Sequence, residues 1–161
     1  MAIIKTPPPH DSAPQIASLL LPLQDRKLIL PVEAVADITP MAGLIVESRA
    51  ERWVLGHKHW RNLRVPIIAF ETYAGGSLKK HSEHARIAII NRYNKSAAQP
   101  VWGILIQGKP TRLGLSEQEL IDTEETVSKA EHSCVNVKNV VARIPDLDAL
   151  EKSLMEIGVL I

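Results

Sequence analysis

From Ile16 onward the chain sets short apolar runs between polar or turn-forming residues: ASLLLPL, KLILPV, EAVADI, WVLG, LRVPII, RIAII, VWGILI, TRLGL and VKNVVARI. Runs this short at this spacing predict many brief strands, and so a barrel or a sandwich. Two segments change period. In DLDALEKSLMEIG, Leu147, Leu150, Leu154 and Ile157 recur at helical spacing, with Asp146 placed to cap the first free N–H groups and Gly158 to end the helix. A shorter helical stretch, IAFETYAGG, follows Pro66 and stops at Gly75 and Gly76. SEQEL carries the Ser-x-x-Glu pattern of a capping box at Ser116 and Glu119.

Strand periodicity assigns faces. In VEAVADI a period of two puts Val32, Ala34, Ala36 and Ile38 on a core face and Glu33, Val35 and Asp37 on the opposite one, where a valine between two carboxylates suits either an edge or a contact surface. WVLGHKHWRNLRVPII predicts a hairpin, Val54 to Trp60 and back along Leu63 to Ile68, with Arg61 and Asn62 at the turn. Asparagine tolerates the positive φ such a turn needs, and Pro66, lacking a donor, predicts that the returning strand lies at an edge or carries a bulge at that point. A second hairpin is expected from RIAIINRY to VWGILIQG, with NKSAAQP as its loop.

Composition narrows the class. The 161 residues are 45% hydrophobic, enough for one globular domain with a real core. The proline-containing start, residues 1–15, reads as an extended or mobile tail, so the domain is expected over 16–161. The formal charge of +1 offers no field of one sign to gather nucleic acid or an anionic membrane, and aromatics at 4% give no stacking platform for single strands. A single cysteine, Cys134, excludes an intramolecular disulfide and fits a reducing, cytoplasmic setting. No apolar run approaches the ~20 residues a spanning helix requires, and the start does not build a signal-peptide core.

The chemistry-bearing residues do not assemble a catalytic motif. Gly75 and Gly76 follow a helical stretch instead of joining a strand to a helix, so no phosphate loop forms and no cofactor is expected. Cys134 with His132 nearby has no orienting third group and reads as a structural or exposed thiol. His57 and His59 share one face of a strand, and His81 and His84 lie three apart; solvent-exposed imidazoles are expected, with a small metal-binding enzyme using His57 and His59 as the alternative. Glu117, Glu119, Asp122, Glu124 and Glu125 form an acidic stretch without EF-hand spacing, expected as a solvated loop.

The order KLILPVEAVADI then WVLGHKHWRNLRVPIIAFETYAG resembles the signature half of the CheW family of chemotaxis coupling proteins. Val35, Ala36, Asp37 and Ile38 match the family's Val-x-Glu-Ile strand with aspartate for glutamate. Gly56 matches its strand glycine, and Trp60, Arg61 and Asn62 stand for the leucine, arginine and glycine of its Asn-Leu-Arg-Gly turn. Pro66 and Phe70 match its Val-Pro-Val-x-Asp-Leu strand, whereas His59 and Ala69 replace the family's asparagine and aspartate. RIAII, VWGILI, TRLGL and VVARIPDLDALEKSL follow in the family's order.

The resemblance implies a mainly β fold of two five-stranded SH3-like barrels packed together, with short helices including one at the C-terminus. It implies a non-catalytic adaptor whose partners are the cytoplasmic tip of a chemoreceptor, docked in the groove between the barrels, and the regulatory domain of a CheA-like histidine kinase; the alternative in the same fold is a CheW-like module that binds another signalling partner. By position, Val35, Asp37, Gly56 and Arg61 mark the protein-binding surface, and an Asp37–Arg61 ion pair is expected if their strands are neighbours. The divergent turn and proline-containing start are more similar to the ChpC and PilI kind, which act in type IV pilus systems and twitching motility.

Overall fold

In the computed structural model, residues 14–160 are described. The expected N-terminal tail therefore lies outside the described residues except for Pro14 and Gln15. Twelve strands form two sheets of six. The first sheet takes β1 (Ile16–Pro22), β2 (Lys27–Pro31), β9 (Thr111–Leu115), β10 (Ile121–Asp122), β11 (Glu131–Val137) and β12 (Val140–Pro145), in the order β10-β11-β12-β2-β1-β9. The second takes β3 (Val35–Pro40), β4 (Ile45–Val46), β5 (Val54–Trp60), β6 (Leu63–Ile68), β7 (Arg86–Asn91) and β8 (Val101–Ile106), in the order β3-β7-β8-β6-β5-β4. Each sheet thus has the five longer strands of the expectation and adds a two-residue strand, β10 or β4, at one edge.

The apolar runs are continuous because their strands are buried on both faces. Along β7, Ile87 and Ile89 enter a cluster inside the second sheet with Val65, Ile67, Val101 and Leu105, while Ala88 and Ile90 point the other way. On β2, Ile29 enters the first sheet's own cluster with Leu20, Leu115, Val135, Val137 and Ala142, and Leu28 and Leu30 face away from it. The outward faces of both sheets meet in a third, central cluster around Leu21, Leu28, Ile68, Phe70, Trp102 and Ile104. The helices α1 (Phe70–Tyr73) and α2 (Leu147–Glu156) contribute Phe70, Tyr73, Leu150 and Leu154 to it. Asp146 caps α2 through the Ala149 N–H at 3.0 Å, and Gly158 follows at φ +73°, as the pattern predicts.

The two sheets repeat one topology. Each runs antiparallel, antiparallel, parallel, antiparallel, antiparallel from β9 through β1, β2, β12 and β11 to β10, and from β3 through β7, β8, β6 and β5 to β4. The hairpins β5–β6 and β11–β12 coincide at a spacing of 77 residues (61 to 138): Arg61 and Asn62 have φ of +46° and +63°, Lys138 and Asn139 +49° and +66°. The backbone bond from Ala69 N–H to the Trp53 carbonyl (2.7 Å) recurs from Asp146 N–H to that of Ala130 (2.8 Å).

Two strand expectations are corrected. Val32–Ala34 form a single 3-10 turn, and a bulge between Val35 and Asp37 resets the alternation, so Val35 and Ile38 pack on the central cluster while Ala36 packs inside the second sheet. The strand bearing Pro66 is not an edge strand, since β6 lies between β5 and β8. The β8 pairing begins at Ile67, so no donor is required of Pro66 on that side, and the bulge sits across on β5 between Val54 and Gly56.

Candidate partner-binding surface

The second sheet is closed by side chains. Its first strand, β3, meets β5 without backbone pairing: the Trp60 indole N–H donates to Asp37 Oδ2 at 2.9 Å, and Lys58 Nζ donates to Thr39 Oγ1 and to the Pro40 carbonyl, each at 2.5 Å. Desolvation lowers the Lys58 pKa, with Asp37 opposing that shift by its charge. Asp37 Oδ1 accepts the Ile38 N–H at 2.8 Å, so both oxygens are occupied.

Arg61 sits at the end of this row, exposed, with its guanidinium 4.4 Å from the centre of the Trp60 ring. The expected Asp37–Arg61 ion pair is absent among the described residues. The indole lies between the two, giving its N–H to the carboxylate and its face to the guanidinium. Val35 opens β3, half-buried against the central cluster instead of standing free.

Gly56 stands apart, five residues before Arg61 and so roughly 16 Å away along an extended strand. It is buried at φ +152°, and a Cβ there would lie 1.8 Å from the Ile45 carbonyl oxygen. Only glycine lets β4 lie so close. The outer surface at this point belongs to Ile45 and Val46, 49% and 75% exposed.

Beside β4, Glu47 Oε1 accepts from His57 Nδ1 at 2.5 Å and from Arg64 at 2.9 Å. That hydrogen bond from His57 comes first, with the charges of Arg64 and Arg49, in holding the Glu47 carboxyl below the usual range. The expectation of solvent-exposed imidazoles is thereby corrected for His57, whose side chain is only 14% exposed; His59, His81 and His84 are exposed. His57 and His59 rings meet edge to face at 5.5 Å, and no group of three or more His, Cys, Asp or Glu among the described residues is arranged to hold a metal. Cys134 is buried, its Sγ 3.5 Å from Glu125, while the bulge at the start of β11 leaves His132 exposed. In the acidic stretch, Glu119 accepts the Ser116 N–H at 3.0 Å, the anticipated capping contact, which lowers its pKa. Glu125 pairs with Arg143 at 3.0 Å.

An apolar groove opens where the first sheet hands over to the second. Its walls are Ile29, Leu30 and Pro31 of β2, Ala34, Ile144 and Pro145 of β12, and Leu147 at the start of α2, with Tyr93, 67% exposed, on the rim. The groove exists because β2 and β12 pair only at Leu28 and Arg143, and beyond that point their ladder is not continued. Its rim is held by Glu151, fully buried on α2. The carboxylate accepts the backbone N–H groups of Tyr93 and Asn94, each at 2.7 Å, and the Trp102 indole N–H at 3.1 Å.

Sequence reasoning did not single out Trp60 as a site residue, nor Tyr93 or Glu151. The signal for Glu151 was present, because it falls within the apolar stripe of Leu147, Leu150 and Leu154.

The CheW-like domain family matches residues 17–154. The chain belongs to this family. The solved structure of the scaffolding protein TtCheW from Thermoanaerobacter tengcongensis aligns with a TM-score of 0.69 at 13% identity, covering 83% of this chain and 90% of that one. At such identity the likeness speaks for the CheW-like fold. A comparison with curated protein sequences returns no match. Among the described residues no helix is long and apolar enough to cross a membrane.

Proposed function

We propose that this CheW-like chain is a non-catalytic cytoplasmic adaptor, one domain over residues 16–161, that couples the cytoplasmic tip of a chemoreceptor to the regulatory domain of a CheA-type histidine kinase. The observation that carries the reading is the apolar groove of Ile29, Leu30, Pro31, Ala34, Ile144 and Leu147. A helix pair burying an apolar stripe in such a groove gains affinity without any reaction. A second surface is the row of Asp37, Trp60 and Arg61 with Val35 beside it, and Ile45 and Val46 over Gly56 form a third, apart from that row.

The process we assign is twitching motility, supported by the divergent turn His59–Asn62 and the proline-containing start that resemble pilus-system couplers. Titration of the purified chain with the cognate receptor tip and with the cognate kinase regulatory domain tests the adaptor role. Saturable binding to both is expected. Binding to neither would overturn it in favour of a CheW-like module that binds another signalling partner, and stoichiometric zinc or iron in the pure protein would overturn it in favour of the metal-binding enzyme.

A further inference from the structure

We propose that residues 1–13 of this chain turn back on the first sheet and seat Ile3 and Ile4 in an apolar cavity beside the start of β1, so that the chain masks its own groove. The masking rests on the adaptor reading above, since it regulates that same site; the seating itself does not.

Three observations carry it. The first is a cavity of about 170 Å³ at the open end of the first sheet, formed by Ile16, Leu115 and Leu120 with Ile29, Pro31 and Ile144, which also wall the groove. Its volume is less than a bound small molecule fills, and it suits one or two aliphatic side chains. Ile16 at its margin is 47% exposed, apolar surface that an occupant would take out of water.

The second is the place at which the described residues begin. Pro14 lies at the same end, in a depression it shares with Ile16, Glu117 and Gln118, so the residues before it start beside the cavity. Ile4 is ten residues from Pro14, a reach of at most roughly 35 Å. From Ile16, the path past the Ser18–Pro31 pair to Ala34 in the groove is shorter, about 20 Å along the backbone. The segment is long enough to return to either position.

The third is the order of residues within the segment. Met1, Ile3 and Ile4 are its large apolar residues, Lys5 follows them, and Pro7, Pro8 and Pro9 separate this head from Pro14. Prolines fix their own φ, so a segment that holds three of them loses less conformational freedom on seating. Across the groove, the start of α2 presents Asp146 and Asp148. Asp148 is met by Lys152 at 2.9 Å, whereas Asp146 caps the Ala149 N–H and keeps its charge available to Lys5. An apolar pair followed by a cation thus matches an apolar cavity followed by a carboxylate. A head seated there stands in the mouth of the groove and competes with a receptor helix for it.

The test uses the full chain with labelled isoleucine, leucine and valine methyl groups. In the wild type, nuclear Overhauser contacts are expected between the methyl groups of Ile3 or Ile4 and those of Leu120 or Ile144. In the double variant Ile3→Asp, Ile4→Asp, the Leu120 and Ile144 resonances move while those of the central cluster stay. Affinity for the cognate receptor tip then rises about threefold or more, because a larger share of the chains has its groove free.

Absence of the contacts in the wild type overturns the proposal. Contacts found only between chains, in a mixture of differently labelled copies, overturn it too and make a second copy the occupant. Equal receptor affinity of wild type and double variant removes the masking. If neither chain binds the receptor tip while the contacts are present, the seating stands and the adaptor reading alone has failed.

Discussion

Glu151 and Gly56 show how one residue can fix a surface it does not form. Burying a carboxylate is costly unless its oxygens are paired, and Glu151 meets that cost with three N–H donors from Tyr93, Asn94 and Trp102. Glu151→Ala leaves those donors without their acceptor, the Trp102 indole N–H among them fully buried, and should cost about 3 kcal/mol in urea unfolding. Glu151→Gln keeps one acceptor oxygen and should cost about half as much; a Gln variant as stable as the wild type would mean that the side chain acts only by filling space. Gly56→Ala drives a methyl group into the Ile45 carbonyl at 1.8 Å, and β4 must leave its place or the bulge must reform. A loss of about 3 kcal/mol or more is expected, and a tolerated alanine would show that β4 is not seated on β5 as described.

At the scale of elements, the strands and the hairpins β5–β6 and β7–β8 were legible, and the internal repeat was not. RIAII and VWGILI could be read as strands from their apolar runs, and DLDALEKSLMEIG as a helix from its period and caps. The repeat of residues 51–73 in 128–150 left almost no trace, because Asn62/Asn139 and Ile67/Ile144 are the positions at which the two segments agree. Topology requires a turn that tolerates positive φ and apolar residues facing each cluster, and many sequences meet both. The faces of β3 were misread because a bulge adds a residue that periodicity does not reveal. Among the candidate site residues, Arg61 is named through resemblance, and the ion pair expected with Asp37 fails because the reach of the Trp60 indole between them is a tertiary fact. The short strand β4 offers a test at this scale, because Glu47 beside it is clipped to His57 and Arg64. A carboxyl whose folded pKa is depressed stabilises the fold above its unfolded value, about 4.3 for glutamate, and that contribution is lost as pH falls through the folded value. The acid limb of stability measured by denaturant unfolding should therefore be shallower in Glu47→Gln than in the wild type. Superimposable limbs would show that the clip is equally formed in the unfolded chain or is not formed at all.

The whole molecule is two copies of one topology, the second inserted between β2 and β9 of the first, and the central cluster is what makes them one body. Insertion has a geometric consequence. Chain must pass from β2 into β3 through the turn Val32–Ala34, so the groove is walled by β2 and β12 of the first sheet, by that turn and by the start of α2, with Tyr93 of the β7–β8 loop on its rim. A groove built this way is rigid to the extent that the central cluster is, and its rim can be altered without touching that cluster. Tyr93 is the position at which this can be tested cleanly. Its backbone N–H is committed to Glu151, but its side chain is 67% exposed, so Tyr93→Ala removes surface while leaving the latch in place. Thermal unfolding should be unchanged, whereas affinity for the receptor tip should fall by about 1–3 kcal/mol, the range for truncating an aromatic contact at an interface. Affinity for the kinase regulatory domain should be unaffected if that partner meets the Arg61 turn instead. Equal weakening toward both partners would mean that they share the groove, and one chain could then not bridge them at the same time.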